Sequence, residues 1–191
     1  MHGLINRALQ AFLTQTYGDA LWRRVAEDAR QGFAGFEAML TYDPVLTDRV
    51  LDAACRALGR DRDGLLEDMG TFLATSPALP GIRRLLRFCG ATFEEFLLSL
   101  DDLPDRVQLA VPDLRLPAIT VDDTGRAVFR VTCQPGLAGF APVVLGLLRA
   151  MADDYGVLAL LDPGGDGVIE VRLIDRRFAD GRAFRLGAGA A

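Results

Sequence analysis

The hydrophobic repeat of this chain changes once, and that change sets what it can fold into. Up to about Pro104 apolar residues recur at helical spacing; beyond it they alternate or run in short β-branched stretches. Leu4, Ile5, Ala8, Leu9, Phe12 and Leu13 share one face of a first helix. Gly18 ends it, and Asp19 is expected to cap a second that carries Leu21, Trp22, Val25 and Ala29. "QGFAGFEAMLTYDP" reads as a connector. Thr47 is expected to cap a third helix with Val50, Leu51, Ala54, Cys55 and Leu58 inward, closed by Gly59. Asp61 or Asp63 opens a fourth with Leu65, Leu66, Met69, Phe72 and Leu73. Pro80 starts a short fifth that runs through Phe88. Thr92 and Glu95 form a capping box for a sixth, which carries Phe93, Phe96, Leu97 and Leu100, and Pro104 lies just beyond its end.

Four strands follow: "PAITVDD", "RAVFRVTC", "GVLALLD" and "GVIEVRLID". "DDTG" joins the first pair as a tight hairpin and "DPGGDG" joins the second. Between the pairs lies one helix, about Phe140 to Asp154, with Val143, Val144, Leu147, Leu148 and Met151 inward. The order predicts an α+β fold: an N-terminal helical lobe of about six helices packed on a four-stranded antiparallel sheet with one crossing helix. The expected organisation is a single domain, with residues 1–75 a helical lobe, 76–175 an α/β lobe and 176–191 a frayed tail.

The 191 residues suit one domain or two closely joined subdomains, and half of them are hydrophobic, enough for a substantial core. The net charge is −5 with both signs dispersed, so no nucleic-acid partner is expected. No apolar run reaches the roughly 20 residues of a membrane span, and the amphipathic N-terminus does not read as a signal peptide. Cys55, Cys89 and Cys133 show no paired spacing and are expected as reduced thiols in a cytoplasm. His2 is the one histidine, which argues against a histidine-based zinc site or a histidine-dependent triad.

Met1, Gly3, Ile5, Tyr17-Gly18 and Leu21-Trp22 in "MHGLINRALQAFLTQTYGDALW", then "LDDLPDRVQLAVPDLRLPAITVDD" and "GFAPVVLGLLRAM", resemble in order and spacing the heme nitric oxide/oxygen binding (H-NOX) family. These are the gas-sensing domains of soluble guanylate cyclases and their bacterial relatives. The resemblance covers about residues 1 to 175 and implies a haem held by a proximal histidine. In the family that histidine follows a Leu-Asp-x-Leu pattern; here the run is Leu100-Asp101-Asp102-Leu103-Pro104, so Pro104 stands in its place. A proline within a chain has a tertiary amide nitrogen without a basic lone pair and cannot replace imidazole on iron.

The family's second signature, Tyr-x-Ser-x-Arg, holds the haem propionates. Counted without a gap from Pro104, its positions hold Cys133, Pro135 and Leu137; a one-gap register gives Arg130, Thr132 and Gln134. Neither restores the triad. The ungapped register is preferred because it also aligns "GFAPVVLGLL" with the following family helix. Pro117 matches the proline that presses on the haem plane, and Ile5 matches a distal-wall residue. Burying two propionates against Cys133, Pro135 and Leu137 leaves charge unpaired, which is costly.

Alternative axial ligands are His2, Cys133 and Cys89. His2 equally reads as a half-exposed terminal residue. Both cysteines read as small buried hydrophobes in apolar settings, which disfavour the thiolate. Tyr17 and Tyr42 read as packing or cap residues. Asp101-Asp102 and Asp153-Asp154 read as solvated helix ends, and "DPGGDG" as a hairpin turn rather than a calcium or phosphate loop.

No base–nucleophile pair, metal cluster or phosphate loop is present, so no enzyme is expected. The expected function is a sensory or ligand-binding domain that has lost family-type haem ligation. It would bind an apolar small molecule, or signal through a separate partner such as a histidine kinase or cyclase. The alternative is a gas sensor with haem held by His2 or Cys133, or by hydrophobic contact alone.

Overall fold

Helix α1 (Gly3–Tyr17) starts at His2, whose Nδ1 accepts the Leu4 N–H at 3.1 Å. The structure, a computed structural model, describes residues 1–30, 32 and 35–175; the expected tail 176–191 lies outside the described residues. The carbonyls of Glu37 and Leu40 press on Gly3 so closely that a Cβ there would lie inside contact distance of both. The Gly3 N–H donates to the Leu40 carbonyl at 2.7 Å. This contact sets the rotation of α1. It turns Asn6 inward, where its Oδ1 accepts the Thr47 hydroxyl at 2.7 Å, and leaves Leu4 and Ile5 half-buried instead of fully inward as expected.

Gly18, at φ +91°, ends α1 and opens α2 (Asp19–Asp28). Asp19 is therefore a first-turn residue favoured by the helix dipole, not the expected cap. Helix α3 (Pro44–Leu58) is capped by Asp43, which accepts the Val45 N–H at 2.9 Å, and begins with Pro44. Thr47, the expected cap, lies one turn inside: Asp-Pro supplies both a side-chain acceptor and a pre-set φ. Asp61 caps α4 (Arg62–Thr75), and Pro80 opens α5 (Pro80–Arg87). The Thr92–Glu95 capping box opens α6 (Phe93–Leu98) as expected. The chain does not leave the helix there. A 3-10 turn (Ser99–Asp102) carries it into α7 (Leu103–Ala110), so Pro104 sits in a first helical turn rather than beyond a helix end. Proline is tolerated there because a first-turn N–H has no intrahelical acceptor.

Strands β1 (Ile119–Gly125), β2 (Val128–Cys133), β3 (Leu158–Gly165) and β4 (Val168–Asp175) form one antiparallel sheet in the order β1-β2-β4-β3. The α+β class is as the sequence predicts. The first hairpin turns later than "DDTG", at Arg126-Ala127 (φ 55° and 59°), and the second turns within "DPGGDG", at Asp166-Gly167 (φ 46° and 79°); "DDT" and "DPG" still belong to the strands. Paired positive φ values match the right-handed strand twist. Helix α8 (Phe140–Tyr155) covers the face that carries Ile119, Phe129, Val131, Ile169 and Val171.

Buried side chains gather in two clusters. One joins α1, α2, α3 and the start of α4 around Phe12, Trp22, Phe36 and Leu65. The other joins α5, α6, α8 and the sheet around Phe93, Phe96, Leu100, Val131 and Leu148. Helices α4 and α8 link them, for Ala74 of α4 belongs to the second cluster and Val143 of α8 packs on the first. They cross at Gly70 and Gly146. A Cβ on Gly70 would overlap the Val143 carbonyl, and one on Gly146 would overlap that of Glu67. Thr71 Oγ1 donates to the Gly146 carbonyl at 3.2 Å, and an Arg149–Glu67 ion pair closes the rim.

An exposed helix glycine is improved by alanine, but these two are not. Gly70→Ala and Gly146→Ala are each expected to lower unfolding free energy by about 1–3 kcal/mol, the usual cost of overpacking. Gly81→Ala in α5, where a Cβ meets nothing within 4 Å, is expected to be neutral or stabilising by up to about 1 kcal/mol. Urea titration of the three variants checks this, and equal effects at all three would remove the crossing as a constraint.

Candidate functional site

Pro104 is half-buried in the first turn of α7, between buried Leu103 and the exposed carboxylate of Asp105. Leu100 and Leu103 point into the core below it. Arg106 locks this turn. Its Nη2 donates to the Ser99 carbonyl at 2.7 Å, its Nε to that of Asp102 at 3.4 Å, and its Nη1 to the sulfur of Cys89 at 2.7 Å. The guanidinium thus ties α7 to the end of α5. Cys89 Sγ also donates to the Leu85 carbonyl at 3.1 Å. The expected apolar setting of Cys89 is therefore corrected: its sulfur touches a cation. Arg106 was hidden in the sequence because "LPDRVQLA" reads as a loop once Pro104 is taken as a helix stop.

On the sheet side, Pro117 is half-buried just before β1 and packs beside Gly136, where a Cβ would lie 3.7 Å from its ring. Cys133 ends β2 opposite Ile119, and its N–H donates to the Gly167 carbonyl at 2.8 Å. Gly167 must lack a side chain, since a Cβ there would press on the Cys133 carbonyl. Burial pushes the Cys133 thiol up to about 11, so at neutral pH it is uncharged. Pro135 is exposed; Leu137 is half-buried against the sheet core and accepts the Phe140 N–H at the start of α8. Strand alternation separates the two registers. Phe129, Val131 and Cys133 face the core, so Arg130 and Thr132 face away from it, and exposed Gln134 follows the strand's end.

The remaining candidates are placed apart. His2 is half-buried, with Nδ1 occupied by the α1 cap and its backbone bridged to Thr41. Ile5 is half-buried on α1. Tyr17 packs edge-on against Phe12, and the Tyr42 hydroxyl accepts the Glu37 N–H at 2.8 Å. Asp101, Asp102 and Asp153 are exposed helix-end residues, but Asp154 is not simply solvated: it holds Arg83 at 3.3 Å and Arg87 at 2.7 Å, fixing α5 to α8. Tyr155 donates to the Gly90 carbonyl at 2.9 Å, and burial is the main cause raising its pKa. Helical spacing alone does not announce these two anchors.

The donor chemistry at the matched positions is poor. Pro104 has no basic nitrogen, Pro135 and Leu137 have no polar side-chain atom, and Cys133 is a neutral thiol. This set does not fit haem as a proximal imidazole with Tyr, Ser and Arg anchors would hold it. Among the described residues no group of three His, Cys, Asp or Glu side chains is placed to hold a metal ion, and no helix is long and apolar enough to cross a membrane.

The Haem-NO-binding family model matches residues 2–158. Soluble guanylate cyclase gcy-31 of Caenorhabditis elegans is 24% identical over 166 residues, 85% of this chain but 24% of the cyclase. Soluble guanylate cyclase 89Db of Drosophila melanogaster is 21% identical over 158 residues, 81% of this chain and 23% of the cyclase. The chain thus spans about a quarter of the length of these relatives. Among solved structures, an H-NOX protein from S. oneidensis in the Fe(II) ligation state superposes with a TM-score of 0.78 at 14% identity, over 92% of this chain and 97% of that one. An H-NOX protein mutant from K. algicida, Fe(II) and unliganded, gives 0.71 at 17% identity over 92% and 97%. At such identities the structural likeness speaks for the fold alone. The family match extends over most of the chain, so this chain belongs to the Haem-NO-binding family and is a sensory domain of the soluble guanylate cyclase type rather than a catalytic one.

Proposed function

We propose that this domain has relinquished the family's way of holding haem and senses or signals without an imidazole–iron bond. Pro104 carries the reading. It occupies a well-formed first turn, braced by Arg106, at the position where the family resemblance places the ligand. The surrounding elements each bury an apolar cluster, so loss of the fold does not account for the missing ligand. The former anchor positions, Cys133, Pro135 and Leu137, supply no charge to receive a carboxylate. Ile5, Pro104, Pro117 and Leu137, the positions that the resemblance matches to the haem pocket, are apolar and half-buried, which favours an uncharged apolar ligand over a charged one. The domain acts as one unit of two lobes, 1–75 and 76–175, in a cytoplasm, and its output goes to a separate protein such as a histidine kinase or a cyclase. The competing reading keeps haem through His2, Cys133, Cys89 or hydrophobic contact. His2 Nδ1 already caps α1, and the Cys133 thiol is neutral, so neither is poised as a ligand.

Hemin titration with absorption spectroscopy tests this. The wild-type chain is expected to give no Soret shift beyond that of free hemin, and Pro104→His alone is expected to give no tight complex. Pro104→His combined with Cys133→Tyr, Pro135→Ser and Leu137→Arg is expected to gain a sharp band. A sharp wild-type band abolished by His2→Ala, Cys133→Ala or Cys89→Ala would overturn the reading.

Cys133 also gives a pH prediction. Its folded pKa is raised from about 9 to about 11, so burial of the neutral thiol stabilises fully below pH 9 and that contribution is lost as pH rises towards 11. The chain contains no lysine, so thiols and tyrosines are the main groups left to titrate there. Unfolding free energy of the wild type is expected to fall over this window, and that of Cys133→Ala to fall less; identical slopes would place the thiol in water.

A further inference from the structure

We infer that the outward face of α6–α7 docks a basic amphipathic helix of a partner protein. The inference rests on the reading of this chain as a domain that reports to a separate protein, and it is independent of what the interior binds.

From Phe93 to Ala110 the chain runs as one nearly continuous helical rod, roughly 27 Å long at 1.5 Å per residue. Its inward seam is Phe93, Phe96, Leu97, Leu100, Leu103 and Val107, all packed on the second core. On the opposite side stand Leu98, Asp101, Asp102, Asp105 and Leu109. Leu109 is 85% exposed and Leu98 50% exposed, about three helical turns apart. The carboxylates of Asp101, Asp102 and Asp105 lie between them, exposed and without an ion-pair partner among the described residues. The one arginine of this segment, Arg106, is turned back onto Ser99, Asp102 and Cys89 and does not offset them.

A helix dipole explains a carboxylate in the first turn of α7, but not two large exposed leucines at either end of an acidic stretch. Apolar anchors spaced by turns, with one sign of charge between them, are what a helix-in-groove contact presents. Charge complementarity fixes the occupant: a helix with leucine-like anchors three turns apart and arginine or lysine between. The acidity also disfavours an anionic membrane surface.

The test uses the whole domain and a fluorescein-labelled peptide of about 18 residues. The peptide carries leucines at i, i+4, i+7 and i+11 with arginines between, and its control is a scrambled peptide of equal composition. Fluorescence anisotropy is expected to show binding of the patterned peptide only. The double variant Leu98→Ser/Leu109→Ser is expected to weaken it about tenfold or more, as loss of two anchor side chains does. Both sites are exposed, so the variant should keep the wild-type urea midpoint. Asp101→Asn/Asp102→Asn/Asp105→Asn is expected to weaken binding and flatten its salt dependence. Equal binding to wild type and the leucine variant, or equal binding of the scrambled peptide, overturns the proposal. So does micromolar self-association in sedimentation velocity that the leucine variant abolishes, since the occupant would then be a second copy. Hemin titration reads the interior separately, so the two readings fail independently.

Discussion

The crossing of α4 and α8 at Gly70 and Gly146 is the contact on which the remaining architecture depends. Each helix contributes mainly to a different core, and their backbones meet with no side chain between them. Backbone contact at this distance fixes the helix axes more tightly than interleaved side chains could, because rotamers cannot absorb a displacement. The Thr71 hydroxyl bond and the Arg149–Glu67 pair are then possible only in this register. Through α8 the register reaches the sheet face that carries Cys133, and through α4 it reaches the cluster that α1 closes. A similar logic holds at Gly3, where loop carbonyls replace the missing side chain and so decide which face of α1 turns inward.

Much of the fold was legible because its signals are local. The Thr92–Glu95 box, the left-handed Gly59 and the period-2 runs each act within a few residues. The misreadings came where a distant contact overrode a local preference. Ile5 looks like an inward residue on periodicity alone, but Gly3 is held by residues about 35 positions away, and that rotates the helix. Thr47 has the composition of a cap, but Asp43-Pro44 starts the helix earlier and frees the hydroxyl for Asn6. Of the candidate site, the identity of each side chain was readable and its company was not. Nothing in the spacing of Cys89 and Arg106, 17 residues apart, announces that sulfur and guanidinium meet.

On the proposed reading, Pro104 marks a position that changed chemistry while keeping structure. An imidazole and a pyrrolidine ring are different ligands, but both can occupy a first helical turn, where the backbone N–H has no intrahelical acceptor. The turn is held instead by Arg106, which gathers the carbonyls of Ser99 and Asp102. Those carbonyls stand where the 3-10 turn passes into α7 and would otherwise be less well satisfied. The geometry of α7 therefore does not need a bond from the interior.

An iron–imidazole bond, which the resemblance implies for the family, is a direct mechanical link to the helix that bears it. Among the described residues, the 3-10 turn and α7 meet the second core through Leu100, Leu103 and Val107, and α7 meets the end of α5 through Arg106 and Cys89. Packing contacts transmit displacement only when a ligand fills or empties space against them, since dispersion is short-ranged. An interior ligand that reports through α7 must therefore do so by volume, and a bound molecule that leaves those three side chains undisturbed is silent, however tightly it is held.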